Sequence, residues 1–258
     1  MVCKANDFVN KVATKKLTTG LWCSLASATA VEVLSSVPYD WFLLDMEHAP
    51  TSLNKIIDQL RVLDASAISA IVRPPCCDTV FIKRLLDAGA KNLLFPNVQT
   101  IEQAREIIRA TRYPPEGVRG VSMSGRAALY GAKSGYVSEA ASELVIIMQM
   151  ETMQALQLLP EFARLPEVAV LFFGPADLSA DMGLLGQPDH PDVRNTITKA
   201  IKTVVAHGKI AGILAPNMDA ANAYIAAGAR FVAIGNDLSC LRVHAQSLLD
   251  QVTNRASM

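Results

Sequence analysis

Short apolar runs alternate along the chain with longer segments in which apolar residues recur every three or four positions. The first pattern predicts buried strands and the second amphipathic helices. Eight runs qualify as strands: residues 19–25, 41–46, 69–73, 92–98, 145–151, 168–173, 210–214 and 231–234. They are nearly all apolar, as expected of parallel strands covered on both faces. Residues 5–15 are mixed and predict a short leading helix. Several helix ends are legible. Asp78 caps a helix through Ile82, Leu85 and Leu86 to Gly89, and Thr100 with Gln103 forms a capping box. Residues 192–207 place Val193, Ile197, Ile201 and Val204 on one face and stop at Gly208. Residues 220–227 stop at Gly228 in the same manner, and a last amphipathic helix runs from Leu238 to about Val252.

Eight strand–helix units in about 250 residues predict a TIM (β/α)8 barrel, here one α/β domain over residues 1–258. An open doubly wound sheet is the alternative. The count of eight, and the lack of G-x-G-x-x-G after the first strand, weigh against it. One long irregular segment, residues 112–143, follows the fourth strand and reads as a lid or an interface.

Composition narrows the partners. Hydrophobic residues are 51% and charged residues 19%, which places the chain among globular proteins. A formal net charge of zero argues against nucleic acid or an anionic membrane as the main partner. No apolar run reaches the roughly 18 residues of a membrane span, and no signal-peptide pattern is seen, so a cytoplasmic protein is expected. The five cysteines, Cys3, Cys23, Cys76, Cys77 and Cys240, are odd in number and form no C-x-x-C pair. They read as free thiols of a reducing compartment, the adjacent Cys76 and Cys77 as packing rather than metal ligands.

In such a barrel the chemistry lies where the strands end. Those ends carry Trp22; Asp45, Glu47 and His48; Arg73; Pro96-Asn97; Gln149 and Glu151; Asp177 after Gly174-Pro175-Ala176; Asn217; and Asn236-Asp237. Glu151 and Asp177 are one βα unit apart, hence on neighbouring strands roughly 5 Å apart. Two carboxylates that close repel unless a proton or a cation sits between them. A hard divalent ion, Mg²⁺, Mn²⁺ or Co²⁺, suits such ligands. The plainer alternative is that one of them caps a helix or pairs with a surface arginine. His48, close to Asp45, reads as a general base with a fixed tautomer, against the ordinary reading of a packing histidine. Arg73, in an apolar run, is either half of a structural ion pair or a clamp on a substrate oxyanion. No predicted strand ends in lysine, so a Schiff-base aldolase lacks its nucleophile. Lys133 in the long segment is the one conceivable substitute. Carbonyl chemistry here would use a metal, with no organic cofactor.

At this point the motifs resemble a known family. The matching blocks are Gly20-Leu21-Trp22, the run D-W-F-L-L-D-M-E-H-A-P from Asp40 to Pro50, Val72-Arg73-Pro74, and I-K-R-L-L-D-A-G-A from Ile82 to Ala90. They continue with Arg112-Tyr113-Pro114-Pro115 through Arg119-Gly120, Gln149-Met150-Glu151-Thr152, and G-P-A-D-L-S from Gly174 to Ser179. Together they resemble the metal-dependent pyruvate aldolases of the HpcH/HpaI family over nearly the whole chain. The resemblance implies that Glu151 and Asp177 hold the divalent metal. It implies that His48, assisted by Asp45, is the base acting through water, and that Arg73 steadies an enolate oxygen. Trp22, Gln149 and the Gly174-Pro175-Ala176-Asp177 turn would line the pyruvate pocket. Glu47 would support the site from behind, and Asp87 and Arg126 would serve a neighbouring subunit. A homo-oligomer is implied, a hexamer built as a trimer of dimers, with the C-terminal helix in its contacts.

The expected reaction is reversible cleavage of a 4-hydroxy-2-oxo acid to pyruvate and an aldehyde. The resemblance favours 4-hydroxy-2-oxoheptanedioate, giving succinate semialdehyde, with a 2-keto-3-deoxy sugar acid second. Met46, Asn97 and residues 122–130 depart from the family's usual pattern, which leaves the aldehyde half open. Two other readings remain: a related enolate-forming decarboxylase or C–C bond-forming enzyme on the same site, and a non-catalytic barrel scaffold.

Overall fold

The computed structural model describes residues 6–256, the side chains of 254–256 excepted. Cys3 and the first residue of the predicted leading segment lie outside the described residues. Eight parallel strands close in sequence order: β1 Thr18–Cys23, β2 Trp41–Asp45, β3 Ser69–Arg73, β4 Asn92–Phe95, β5 Val145–Met150, β6 Val168–Phe173, β7 Ile210–Ala215 and β8 Phe231–Asn236, with β8 pairing back to β1. The predicted TIM barrel is the observed fold.

The helices that follow the strands are α2 Ala28–Leu34, α3 Leu53–Asp64, α4 Thr79–Asp87, α5 Ile101–Thr111, α10 Pro191–Ala206 and α11 Met218–Ala226, after a leading α1 Asp7–Thr14. The predicted Asp78 cap and the Thr100–Gln103 capping box are both formed. The long segment after β4 holds a 3-10 turn, Arg126–Gly131, and a one-turn helix, α6 Tyr136–Glu139. Three short helices that apolar periodicity cannot reveal, α7 Met153–Gln157, α8 Leu159–Ala163 and α9 Pro175–Asp181, surround β6. The chain closes with α12 Asp237–Ala256.

Two cores result from the period-2 alternation of the strands. Phe42, Leu44, Val72, Ile146, Met148 and Phe173 face outward and pack under the helices. Trp41, Leu43, Ile71, Ile147, Val170 and Phe172 face inward and fill the barrel, and Phe8 and Val12 of α1 close its lower end. Trp41 stacks on Phe231 with ring centroids 4.3 Å apart. This layer needs Gly20, where an added Cβ would lie 2.2 Å from the Trp41 ring. The alternation also aims the chemistry. Continuing the inward set one step, β2 delivers Asp45, β3 delivers Arg73, and β5 delivers Gln149 and then Glu151, all above the apolar layers. Asp45 and Arg73 are register partners on adjacent strands.

The last helix departs from the expected picture. It is apolar in part but does not bury an apolar face: every residue from Leu238 to Thr253 is exposed, and only Asp237 is buried. Asp237 accepts hydrogen bonds from the backbone N–H groups of Ser24 and Leu25, so the first turn is pinned to the end of β1. Among the described residues no helix is long and apolar enough to cross a membrane.

Candidate active site

Asp45 and Arg73 form the rigid side of the site. Arg73 Nε donates to Asp45 Oδ1 at 2.9 Å and Nη2 to Oδ2 at 2.7 Å, a two-pronged pair with both residues buried. The guanidinium lies 4.9 Å from the Trp22 ring centroid, and Trp22 Nε1 donates to Asp45 Oδ2 at 3.3 Å. Burial raises the Asp45 carboxyl, but the hydrogen bonds and charge of Arg73 outweigh it and hold the group below its ordinary value. The third guanidinium nitrogen, Nη1, lies 2.8 Å from Glu47 Oε2 in an ion pair. Burial pushes the Glu47 carboxyl up and the negative charges of Asp45 and Asp177 add to it, while Arg73 and His48 pull it down.

The opposite side is a group of acids with too few cations. Gln149 Nε2 donates to Glu151 Oε2 at 2.5 Å, and the backbone N–H of Asn97 donates to Oε1 at 2.8 Å. Those bonds favour the carboxylate, yet Glu151 is raised to about 7, first by burial and then by the negative charges of Asp177 and Glu47. Asp177 sits in the first turn of α9, behind Gly174 and Pro175. A Cβ on Gly174 would lie 2.6 Å from Glu151 Oε2 and 3.0 Å from Gln149 Nε2, so only glycine leaves the space open. The buried Gln149 Oε1 has no hydrogen-bond partner. An orphaned acceptor, a kept-open cradle and two converging oxygen ligands suit a hard divalent cation that also takes water and substrate oxygens. Among the described residues no three His, Cys, Asp or Glu side chains converge as a cage.

The structure therefore brings Trp22, Asp45, Glu47, Arg73, Gln149, Glu151, Gly174 and Asp177 to one end of the barrel. His48 lies at the rim, its side chain 66% exposed. The ring is not paired with Asp45, which reaches only the His48 backbone N–H at 3.5 Å, because Arg73, Trp22 and the Glu47 N–H occupy that carboxylate. Asp87 and Arg126 lie elsewhere. The helix α4 runs back from the active face, so Asp87 ends up beside the start of β4. Arg119 Nη2 binds its carboxylate at 2.8 Å, and Arg126 donates to Ala88 O and pairs with Asp64. Within one chain neither reaches the site. Lys133 pairs with Glu143, which also pairs with Lys91 beside the start of β4, so it stands at the wrong end for Schiff-base chemistry.

Sequence reading gave no role to Asn97, whose N–H holds Glu151 and whose φ is +51°. The signal was present: asparagine is among the few residues that tolerate the left-handed region, and it follows the strand-ending Pro96. A cavity of about 400 Å³ opens beside the site between the loops after β3 and β4, lined by Glu47, Cys76, Cys77, Asn97, Gln103 and Glu106 among others.

Residues 18–243 match the profile of the HpcH/HpaI aldolase/citrate lyase family. The chain belongs to that family. It is 42% identical over 245 residues to a 5-keto-4-deoxy-D-glucarate aldolase of Escherichia coli O157:H7, covering 95% of this chain and 96% of the relative. Among solved structures it resembles a HpcH/HpaI aldolase/citrate lyase family protein from Burkholderia cenocepacia J2315, with TM-score 0.92 and 35% identity over 96% of this chain and 99% of the other. The HpcH/HpaI aldolase of Desulfitobacterium hafniense DCB-2 matches with TM-score 0.86 and 27% identity over 95% of each chain.

Proposed function

We propose that this family member is a divalent-metal-dependent aldolase acting on a 2-keto-3-deoxy sugar acid of the 5-keto-4-deoxy-D-glucarate type. The observation that carries the reading is the Glu151–Asp177 carboxylate pair at the same end of the barrel as an arginine locked in place by Asp45. It stands in a chain 42% identical to an aldolase of that substrate. The resemblance ranked 4-hydroxy-2-oxoheptanedioate first; the curated relatives weigh for the sugar acid instead. Cleavage between the methylene next to the keto group and the adjacent hydroxyl-bearing carbon gives pyruvate and 2-hydroxy-3-oxopropanoate.

The residues divide the work. Glu151 and Asp177 would hold the cation, which when bound polarises the keto group and offsets enolate charge. Arg73, its guanidinium fixed by Asp45 and Trp22, keeps N–H groups to offer to the keto oxygen as charge develops. The Gly174-Pro175-Ala176 turn and Gln149 shape the pyruvate seat, and Trp22 walls it. His48, at the rim, takes the hydroxyl proton through water. As the C–C bond breaks, its electron pair passes to the enolate, which takes up a proton at carbon to become pyruvate.

A pyruvate-coupled assay of a panel of 4-hydroxy-2-oxo acids tests the substrate. The sugar acid is expected to give the highest kcat/KM, and preference for heptanedioate overturns that part. EDTA should abolish pyruvate release, and Mg²⁺, Mn²⁺ or Co²⁺ should restore it. Trapping of pyruvate on the protein by borohydride overturns the metal reading.

The assembly belongs to the same reading. The last helix exposes Leu241, Val243, Leu248, Leu249 and Val252 together, more apolar surface than an isolated helix holds in water. A second copy covering it gives a homo-oligomer, with a hexamer as the expected state. Asp87 and Arg126, at the strand-start end, reach an active site only in a neighbouring subunit. Leu241→Asp with Leu248→Asp should lower the mass seen by light scattering, and an unchanged mass overturns the role of α12.

A further inference from the structure

We propose that Asn97 is the positioning residue of the candidate metal ligand Glu151, and that it acts through its backbone. A left-handed turn at this residue fixes Glu151 Oε1 in place and thereby sets the affinity of the site for a divalent cation. The inference rests on the metal-dependent reading above and names the residue that prepares the site for the ion.

Glu151 follows β5, is buried, and is gripped at both oxygens. Gln149 Nε2 donates to Oε2 at 2.5 Å, a grip from two residues back along the same chain segment. The Asn97 N–H donates to Oε1 at 2.8 Å, from 54 residues away in sequence. The course of the chain after β4 makes this second grip possible. The strand ends at Phe95, and Pro96 follows with φ fixed by its ring. Asn97 then takes φ +51°. In an extended strand consecutive N–H groups point to opposite sides, whereas a turn through the left-handed region brings them to one side. Here the N–H of Asn97 and that of Val98 both reach the end of β5, the first at Glu151 Oε1 and the second at the Gln149 carbonyl, 3.3 Å away. A carboxylate held at each oxygen before the ion arrives has less freedom to lose on coordinating it.

The side chain of Asn97 serves the turn and not the ligand. Its Oδ1 accepts from Gln99 Nε2 at 2.7 Å. The N–H groups of Gln99 and Thr100 in turn donate to Gln103 Oε1, within the capping box of α5. On the other side Cys77 Sγ lies 3.5 Å from the Pro96 carbonyl oxygen. The turn is therefore braced by α5, by β5 and by the loop after β3. Asparagine tolerates positive φ, glycine adopts it freely, and a β-branched residue resists it. Cation affinity should follow that tolerance and not the polarity of the side chain.

Two substitutions separate backbone from side chain. Asn97→Val should weaken Mn²⁺ binding about tenfold to a hundredfold by calorimetry, the scale for losing a group that orients a ligand. Asn97→Gly removes the carboxamide but keeps the turn. It should bind Mn²⁺ within about threefold of wild type, even where urea unfolding shows it less stable. Equal losses in the two would assign the effect to the side chain, and unchanged affinity in Asn97→Val would leave the turn a matter of the fold alone; either overturns the proposal. Should Asn97→Val not fold, Asn97→Ala takes its place. It should bind Mn²⁺ more weakly than Asn97→Gly, and equal affinity overturns the proposal.

A readout without metal tests the contact directly. In EDTA-treated protein the amide proton signal of Asn97 should move upfield in Glu151→Ala, as a hydrogen bond to a carboxylate is lost. An unmoved signal overturns the contact. If wild-type protein binds no Mn²⁺, the metal reading fails and the effect on affinity with it, while the amide signal still decides whether Asn97 holds Glu151.

Discussion

The two ends of this barrel are alike in polar content and opposite in how that content is satisfied. Each end opens on a cavity of about 400 Å³, so size does not tell them apart. At the strand-start end the charges are neutralised or capped. Lys15 pairs with Asp40, Lys91 with Glu143, and Arg126 with Asp64. Lys209 donates to the Leu165 and Val168 carbonyls, and Lys11 to the Ala67 carbonyl. At the strand-end face three carboxylates, Glu47, Glu151 and Asp177, crowd one another, and of these Glu47 alone forms an ion pair with the arginine that Asp45 already holds. The result is a raised Glu151, an orphaned Gln149 Oε1 and a glycine that keeps the space clear. Unbalanced charge held in place by rigid strands marks the working end. Balanced charge marks the end that serves the fold.

The comparison can be broken by variants at each end. The largest effect is expected for Glu151→Ala, with Mn²⁺ binding lost by calorimetry and pyruvate release down on the order of 10³-fold, several kcal/mol of charge stabilisation. His48→Ala should slow cleavage roughly 10²–10⁴-fold and leave Mn²⁺ binding intact in the same titration; normal cleavage would remove His48 from the base role. Arg73→Leu leaves Asp45 buried and unpaired, and urea unfolding should show a loss of about 3–5 kcal/mol.

A smaller effect concerns pH. In EDTA-treated protein Glu151 is raised from 4.5 to about 7 by burial and its acidic neighbours. Between those values the folded state holds a proton that the unfolded state has released. Stability should therefore fall as pH rises through that window and level off above it. Denaturation midpoints across the window should lose this slope in Glu151→Gln. The smallest effect belongs to the other end. Lys15→Ala removes a half-exposed ion-pair partner and should cost under about 1 kcal/mol with kcat unchanged. A large catalytic loss there would refute the division between the two ends.

Much of this was legible in the chain itself. Eight apolar runs of strand length, spaced by helical periodicity and ended by Asp78, Thr100, Gly208 and Gly228, specify a parallel barrel, because burial on both faces leaves few other arrangements. Strand alternation then fixes that Asp45, Arg73, Gln149 and Glu151 face the axis, and order along the strand fixes that they lie above the apolar layers. The absence of a lysine at any strand end is likewise a property of sequence.

Contacts across elements were decided only by the tertiary structure. Strand spacing cannot say that Asp45 spends its oxygens on Arg73 and Trp22 and leaves the His48 ring at the exposed rim, since side-chain direction on a loop follows no period. Nor does sequence show that Asn97 turns its N–H to Glu151, or that α4 carries Asp87 away from its own site. The last helix shows the limit most plainly. Its pattern predicts an apolar face, but a pattern holds no record of whether its own barrel covers that face, and here the barrel grips only the turn that begins at Asp237.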